Sequence, residues 1–153
     1  MNICAEMHKS PKVYGSHIDR TLKVIRQDFA RRFKALNLDI TPEQWVVIDN
    51  LSQKDGQSQT HLAEKCFKDI TNLSRIIDLL SNKNLVRRVR NKSDKRSSNI
   101  YLTDKGKKVY EESLPTVNDL RLRGWEGLSE KEDFDNFIRI LDTIYNNLSA
   151  NGQ

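Results

Sequence analysis

The chain has 153 residues, a length that suits one domain. Hydrophobic residues make up only 37% of it and charged residues 31%, which favours elongated helices that share a core with a partner over a self-sufficient globule. No apolar run approaches the roughly 20 residues that span a bilayer, and the N-terminus MNICAEMHKS has no signal-peptide core, so the sequence predicts a cytoplasmic protein.

Basic residues are concentrated in the middle of the chain. Residues 54–110 carry fourteen Lys and Arg against six Asp and Glu, a net charge of +8, whereas the rest of the chain carries twelve against fifteen, or −3. This asymmetry favours a polyanionic partner for the central segment only.

The first helix is predicted from about Lys12 to Leu36, after an N-terminal tail that ends near Pro11. Its apolar residues recur at steps of three and four and form one seam on a charged helix: Ile18, Leu22, Ile25, Phe29, Phe33 and Leu36.

Two shorter helices should follow. A capping box starts the second, with Thr41 as N-cap, Pro42 as first helical residue and Gln44 as reciprocal partner. This helix is expected to stop near Gly56, and Ser58 is the expected N-cap of the third helix.

A fourth helix is predicted over about residues 70–83, because Asp69 is a good N-cap. An apolar stripe at helical spacing supports it, formed by Leu73, Ile76, Ile77 and Leu80. Its outward N-terminal turn carries hydroxyl, amide and guanidinium groups, on Thr71, Asn72, Ser74 and Arg75. Such groups bind base edges and phosphates when a helix enters a major groove. On this helix alone, an ordinary solvated polar face is an equally good explanation.

A basic hairpin is predicted next, between two β-prone segments, residues 85–86 and 100–102. The hairpin has one acidic residue, Asp94, and six basic residues, which are Arg87, Arg88, Arg90, Lys92, Lys95 and Arg96. This concentration of positive charge favours a DNA backbone, with arginine preferred in a narrow minor groove. A basic loop in solvent is the alternative, which the neighbouring polar helix makes the weaker one.

Two helices are predicted after the hairpin. Thr103 is the expected N-cap of a long helix that Pro115 should kink, and Ser129 with Glu132 forms a capping box for the last helix. The apolar face of the last helix is too wide for a helix that faces water. We therefore expect a homodimer built by the terminal helices, although packing within one chain is the alternative. A two-fold dimer would hold two DNA-reading helices about 34 Å apart, to meet a palindromic site.

Several ordered motifs together resemble the MarR family of bacterial transcription regulators. Residues 94–96 with Leu102-Thr103 and Gly106 match the family's D-x-R…LT-x-x-G signature, and residues 62–64 and 72–75 match its two helix-turn-helix helices. The resemblance implies a dimeric repressor or activator, often released from DNA by a small aromatic or phenolic ligand or by oxidation.

The resemblance also implies a fold. The chain should be mainly α with a small β-hairpin wing, arranged as one domain over residues 1–153. A winged helix-turn-helix DNA-binding lobe would span residues 41–103, and residues 12–36 and 104–150 would form a helical dimerisation region.

Roles for individual residues follow by the same resemblance. Asn72 and Arg75 should read bases, Arg96 should enter a minor groove, and Asp94 should hold the wing tip by an ion pair. Phosphate contacts are expected from hydroxyls and wing cations, namely Ser58, Thr60, Thr71, Ser74, Arg88, Arg90 and Lys95.

A ligand pocket implied by the family would be lined here by His17, Arg20 and Trp45, although Trp45 is more simply a core anchor. The family's peroxide sensors carry their reactive cysteine inside the first helix, where this chain has none. Cys4 and Cys66 are therefore weak candidates for a redox sensor.

No pattern in the sequence predicts an enzyme, a metal site or a cofactor. His8, His17 and His61 have no metal-ligand spacing, and the two cysteines form no CxxC. Two other function classes remain as alternatives: a winged-helix module that binds proteins, and a small-molecule-binding protein without DNA function.

Overall fold

The computed structural model describes residues 13–90 and 98–149. They form a mainly α-helical fold with a small β-sheet, which confirms the expected fold class. In chain order the elements are α1 (Tyr14–Ala35), α2 (Pro42–Gln53), β1 (Gln57–Ser58), α3 (Gln59–Lys65), α4 (Ile70–Asn82), β2 (Val86–Arg90), β3 (Ser98–Leu102), α5 (Asp104–Gly124) and α6 (Glu132–Ser149). The expected helix start at Lys12 lies outside the described residues.

The chain divides into two compact units, which we call the first unit (residues 1–117) and the second unit (residues 118–153). The first unit holds a continuous apolar core contributed by α1 to α5 and the sheet. None of the helices in the described part of the chain is both long and apolar enough to cross a bilayer.

An aromatic cluster joins three helices of the first unit. The ring of Trp45 on α2 stacks on Tyr110 of α5, with centroids 6.2 Å apart, and packs against Phe29 of α1 at 6.1 Å. Its indole Nε1 donates a hydrogen bond of 2.8 Å to Ser113 Oγ. Trp45 is buried, so the core-anchor alternative fits its surroundings better than a ligand-stacking role.

The predicted helix starts are largely those observed. Thr41 Oγ1 accepts a hydrogen bond from Gln44 N–H, and Gln44 Oε1 accepts one from Thr41 N–H, both at 3.2 Å. In α6 the box differs by one residue. Ser129 Oγ accepts from Glu132 N–H at 3.2 Å, but Asp133 rather than Glu132 accepts the return bond from Ser129 N–H.

Three helices end in the same way, with one residue in the left-handed region. These residues are Asn37 after α1, Phe67 after α3 and Asn84 after α4, with φ of 54°, 52° and 57°. After each, the next N–H bonds back across the last turn, as from Lys68 N to Ala63 O at 2.9 Å. Asparagine tolerates this conformation well, whereas a bulky phenylalanine is strained in it.

The sheet has three antiparallel strands in the order β1–β3–β2. The hairpin of β2 and β3 was predicted, and we call it the wing. Strand β1 was not predicted, because two residues are too few to show a strand period. It pairs Gln57 with Ile100 and so ties the start of α3 to the wing.

The LT-x-x-G motif fastens α5 to the wing. Thr103 Oγ1 accepts a hydrogen bond from Gly106 N–H at 3.0 Å, which confirms Thr103 as the cap of α5. Thr103 N–H in turn donates to Leu85 O, also at 3.0 Å. A Cβ at Gly106 would fall 2.1 Å from that same Leu85 oxygen, so the close approach requires glycine.

The second unit has a different character. Its described residues, 118–149, include no buried side chain. Trp125 makes ring contacts with Phe134 and Phe137, with centroids 5.7 and 5.9 Å apart, yet all three remain partly exposed.

Helix α5 continues through Pro115 without dividing.

Candidate nucleic-acid interface

The N-terminal turn of α4 is organised by its cap. Asp69 Oδ1 accepts a 2.8 Å hydrogen bond from the backbone N–H of Asn72, as predicted, and the Asn72 side-chain amide contacts the other carboxylate oxygen. The backbone hydrogen bond from Asn72 lowers the pKa of Asp69. This turn is therefore held in place by a carboxylate that stays ionised at neutral pH.

The outward face of α4 carries the predicted polar groups. Thr71, Asn72 and Arg75 are exposed and Ser74 is half-buried. On the opposite side, three of the four predicted stripe residues are buried and Ile76 is half-buried. The helix thus packs by one stripe and presents hydroxyl, amide and guanidinium groups to solvent, the set that can donate to base edges and phosphates.

The start of α3 adds hydroxyls. Ser58 caps the helix as predicted, because its Oγ accepts a 3.2 Å hydrogen bond from His61 N–H. A serine hydroxyl that accepts one hydrogen bond can also donate one, for example to a phosphate oxygen. Thr60 is exposed on the first turn of the same helix.

The base of the wing carries three arginines in distinct settings. Arg88 Nη1 lies 2.7 Å from Asp78 Oδ1 on α4. The Arg87 guanidinium lies over the ring of Tyr101 on β3, 5.0 Å from its centroid. Arg90 is exposed at the end of β2. The sequence predicted that all three arginines lie in one basic hairpin, but it could not show which partner each of them has.

The wing tip, residues 91–97, lies outside the described residues. The roles expected for Asp94, Lys95 and Arg96 therefore stay predictions from the sequence. Cys4 and His8 lie outside the described residues as well.

Cys66 is buried at the end of α3, and burial raises the pKa of its thiol to about 11. A thiol with that pKa is protonated at neutral pH and is a poor nucleophile. The setting of Cys66 therefore gives no support to a redox role.

The residues expected to line a ligand pocket differ in exposure. His17 is half-buried and Arg20 exposed on α1, whereas Trp45 is buried in the aromatic cluster. No group of three or more His, Cys, Asp or Glu that could hold a metal ion occurs within residues 13–90 and 98–149.

Sequence reasoning missed a cleft beside the candidate reading turn. It is open, has a volume of about 380 Å³ and includes the strained, exposed Phe67. Its lining residues are Glu43, Phe67, Lys68, Asp69, Asn72, Arg75, Ile76 and Leu79. The αL position of Phe67 gave no signal in the sequence, because such a helix end is normally marked by glycine or asparagine.

A helix-turn-helix followed by a two-stranded wing defines the winged helix-turn-helix class. The model of the MarR family matches residues 40–98. Residues 40–98 therefore match the family that the motifs predicted.

Solved structures of similar fold cover most of the chain. The DNA complex of MepR from S. aureus is 24% identical, with a TM-score of 0.74, and the match covers 86% of this chain and 96% of MepR. The repressor CouR, bound to a 23-mer DNA duplex, is 25% identical with a TM-score of 0.73 over 88% of this chain and 93% of CouR. PcaV from Streptomyces coelicolor, in complex with its natural ligand, is 21% identical, with a TM-score of 0.73, and the match covers 87% of this chain and 95% of PcaV.

Proposed function

We propose that this chain is a DNA-binding transcription regulator that acts as a homodimer on a palindromic operator, in the role of a repressor. Helix α4 is then the recognition helix, with Asn72 and Arg75 at base edges. Ser58, Thr60, Thr71, Ser74, Arg90 and Lys95 bind phosphates, and Arg96 enters a minor groove.

The observation that carries this proposal is the two-faced construction of α4 beside the basic wing. One stripe of the helix is buried in the core, while Thr71, Asn72 and Arg75 remain exposed on the turn that Asp69 caps. A major groove admits such a helix, and an adjacent basic hairpin fits the phosphates that flank it. MepR and CouR, which share the fold, were solved with DNA bound.

The homodimer is supported by apolar side chains that one chain leaves uncovered. On α1, Ile18, Leu22 and Ile25 are all exposed. On α6, exposed apolar residues recur at helical spacing: Phe134, Phe137, Ile138, Tyr145 and Leu148. Apolar surfaces of this extent mark protein interfaces, and a two-fold dimer matches a palindromic site.

Release by a small aromatic or phenolic effector completes the proposal. The fold accommodates a ligand in PcaV, which was solved with its natural ligand. His17 and Arg20 remain the candidate lining residues on α1. A cytoplasmic location follows from the proposed function, because the chromosome is the partner.

The proposal is tested by enriching duplexes from a random-sequence pool on the purified full chain, and by measuring the affinity of the enriched duplex against salt. We expect an inverted repeat, and a steep fall in affinity with rising salt because several phosphates are neutralised together. Arg96→Ala should bind the duplex much more weakly while unfolding at the wild-type temperature. A flat salt response, or a pool that shows no enrichment, would remove the proposed function.

A further inference from the structure

Arg88 points toward the recognition helix because of the strand register. It pairs across the wing with Ile100, and residues directly opposite in an antiparallel pair share one face of the sheet. Val86, two residues earlier on β2, is on that face too. Both Val86 and Ile100 are buried in the core. The stem of Arg88 therefore lies at the rim of the core, on the side of the sheet that carries the core residues.

The partner of Arg88 belongs to the candidate reading face. Asp78 follows Thr71 and Arg75 at helical spacing, i, i+4 and i+7, so the three residues lie on one stripe of α4. The Arg88 guanidinium meets its carboxylate at 2.7 Å, with side chains 35% and 56% exposed. The wing is thus joined by an ion pair to the very stripe that carries candidate DNA contacts.

The neighbouring arginines of β2 show that this arrangement is particular to Arg88. Arg87 points to the opposite face of the sheet and lies over Tyr101. Arg90 shares the face of Arg88 but lies two residues, about 7 Å, further toward the wing tip. Arg90 is therefore a matched control on the same strand and the same face.

We infer that Arg88 is a positioning residue, which holds the wing at a fixed angle to the recognition helix through Asp78, instead of binding a phosphate. This inference rests on the proposed function, and it assigns Asp78 a role in DNA binding although Asp78 touches no DNA. The ion pair fixes the wing relative to α4. The helix that reads the major groove and the wing that reads the minor groove are then held together as one rigid unit.

The direction in which one substitution changes the affinity for DNA separates this role from simple electrostatics. A carboxylate on a DNA-facing stripe repels phosphates, so its removal alone should strengthen binding. If the carboxylate positions the wing, its removal should weaken binding instead. Asp78→Ala is therefore expected to lose affinity, by about fivefold on the scale of an exposed ion pair.

The experiment compares Asp78→Ala, Arg88→Ala, the double variant and Arg90→Ala in the full chain. The probe is the duplex that the wild type enriches from a random-sequence pool, titrated at several salt concentrations. We expect the two single variants to lose similar affinity and the double variant to lose no more, because they break one interaction. Arg90→Ala should lower the salt slope by about 0.9, as the loss of one phosphate contact does, whereas Arg88→Ala should leave the slope unchanged.

Thermal unfolding of each variant shows whether the fold is retained, and an exposed pair should leave the unfolding temperature close to that of the wild type. The inference is overturned if Asp78→Ala binds as tightly as the wild type or more tightly, if the losses add in the double variant, or if Arg88→Ala lowers the salt slope as Arg90→Ala does. A wild type that enriches no duplex would remove the proposed function itself, which is a different result from any of these.

Discussion

The two units of this chain use their apolar residues in opposite ways. In the first unit they form a continuous buried core that includes Trp45, Ile48, Leu73 and Ile100. In the second unit, apolar and aromatic residues are as prominent, yet no described side chain is buried. A unit without buried side chains has little hydrophobic free energy of its own, since stabilisation scales with apolar area removed from water. From this contrast we expect that the first unit folds on its own core, whereas the second buries its apolar residues against a partner.

The two tryptophans give the most direct test of this contrast, because one lies in each unit. Trp45→Ala should lower the free energy of unfolding by about 4 kcal/mol, since it leaves a large cavity and removes the hydrogen bond to Ser113. Trp125→Ala removes contacts between partly exposed rings and an exposed hydrogen bond from its indole Nε1 to Ser129 O, and it should cost about 1 kcal/mol. Urea denaturation followed by circular dichroism measures both. Equal losses would show that the two units are stabilised alike.

The partner expected for the second unit is a second copy of the chain, and a charge on its apolar face should prevent that association. Tyr145 is 66% exposed and lies on this face of α6. We expect Tyr145→Glu to convert the dimer to monomer and to weaken binding to a palindromic duplex by about 100-fold, because the second half-site is no longer tethered.

A matched control for this substitution lies one residue further along. Asn146→Glu introduces the same charge at an exposed polar position of α6 and should leave the assembly intact. Sedimentation velocity gives the mass of each variant. If Tyr145→Glu sedimented as the wild type does, the exposed face of α6 would not be the dimer interface.

Close packing at Gly106 in the first unit should make the fold less stable when a single methyl group is added there. Gly106→Ala places a Cβ against the carbonyl oxygen of Leu85. The backbone is held at both residues, because Gly106 N–H donates to Thr103 Oγ1 and Thr103 N–H donates to Leu85 O. We expect a loss of about 2 kcal/mol in the free energy of unfolding, as for other overpacked sites. Gly124→Ala meets no atom within 4 Å and should be neutral or slightly stabilising. Chemical denaturation of the two variants side by side measures the difference.

Features that depend on neighbouring residues in the chain were predictable from the sequence. The caps Thr41, Ser58, Asp69 and Thr103 each accept a hydrogen bond from an N–H three residues later, so a short window contains both partners. The stripe of α4 was predicted for the same reason, since a helical period needs only a few turns to show.

Features that depend on the assembled fold were not predictable. The ion pair between Asp78 and Arg88 requires the register of the wing, which sets the face of β2 that meets α4. Strand β1 exists only because β3 offers it an edge. In the candidate site, the residue types on α4 pointed to DNA, but they could not show which wing arginine is bound by a carboxylate.

Among the described residues of the first unit, Phe67 has the most exposed large apolar side chain. Its side chain is 92% exposed and its φ is 52°, so burial does not offset the strain of the left-handed conformation. The helix ends at Asn37 and Asn84 adopt the same conformation with a residue that tolerates it.

Phe67→Gly should therefore stabilise the protein by about 1 kcal/mol, because glycine removes the steric strain and no buried contact is lost. Phe67→Ala is the control, since alanine keeps the Cβ that causes the strain and should change stability by less than about 0.5 kcal/mol. Thermal unfolding measures both variants. If Phe67→Gly were no more stable than Phe67→Ala, the left-handed residue would carry no strain, and the exposed ring at the edge of the cleft would have to be explained by its surroundings instead.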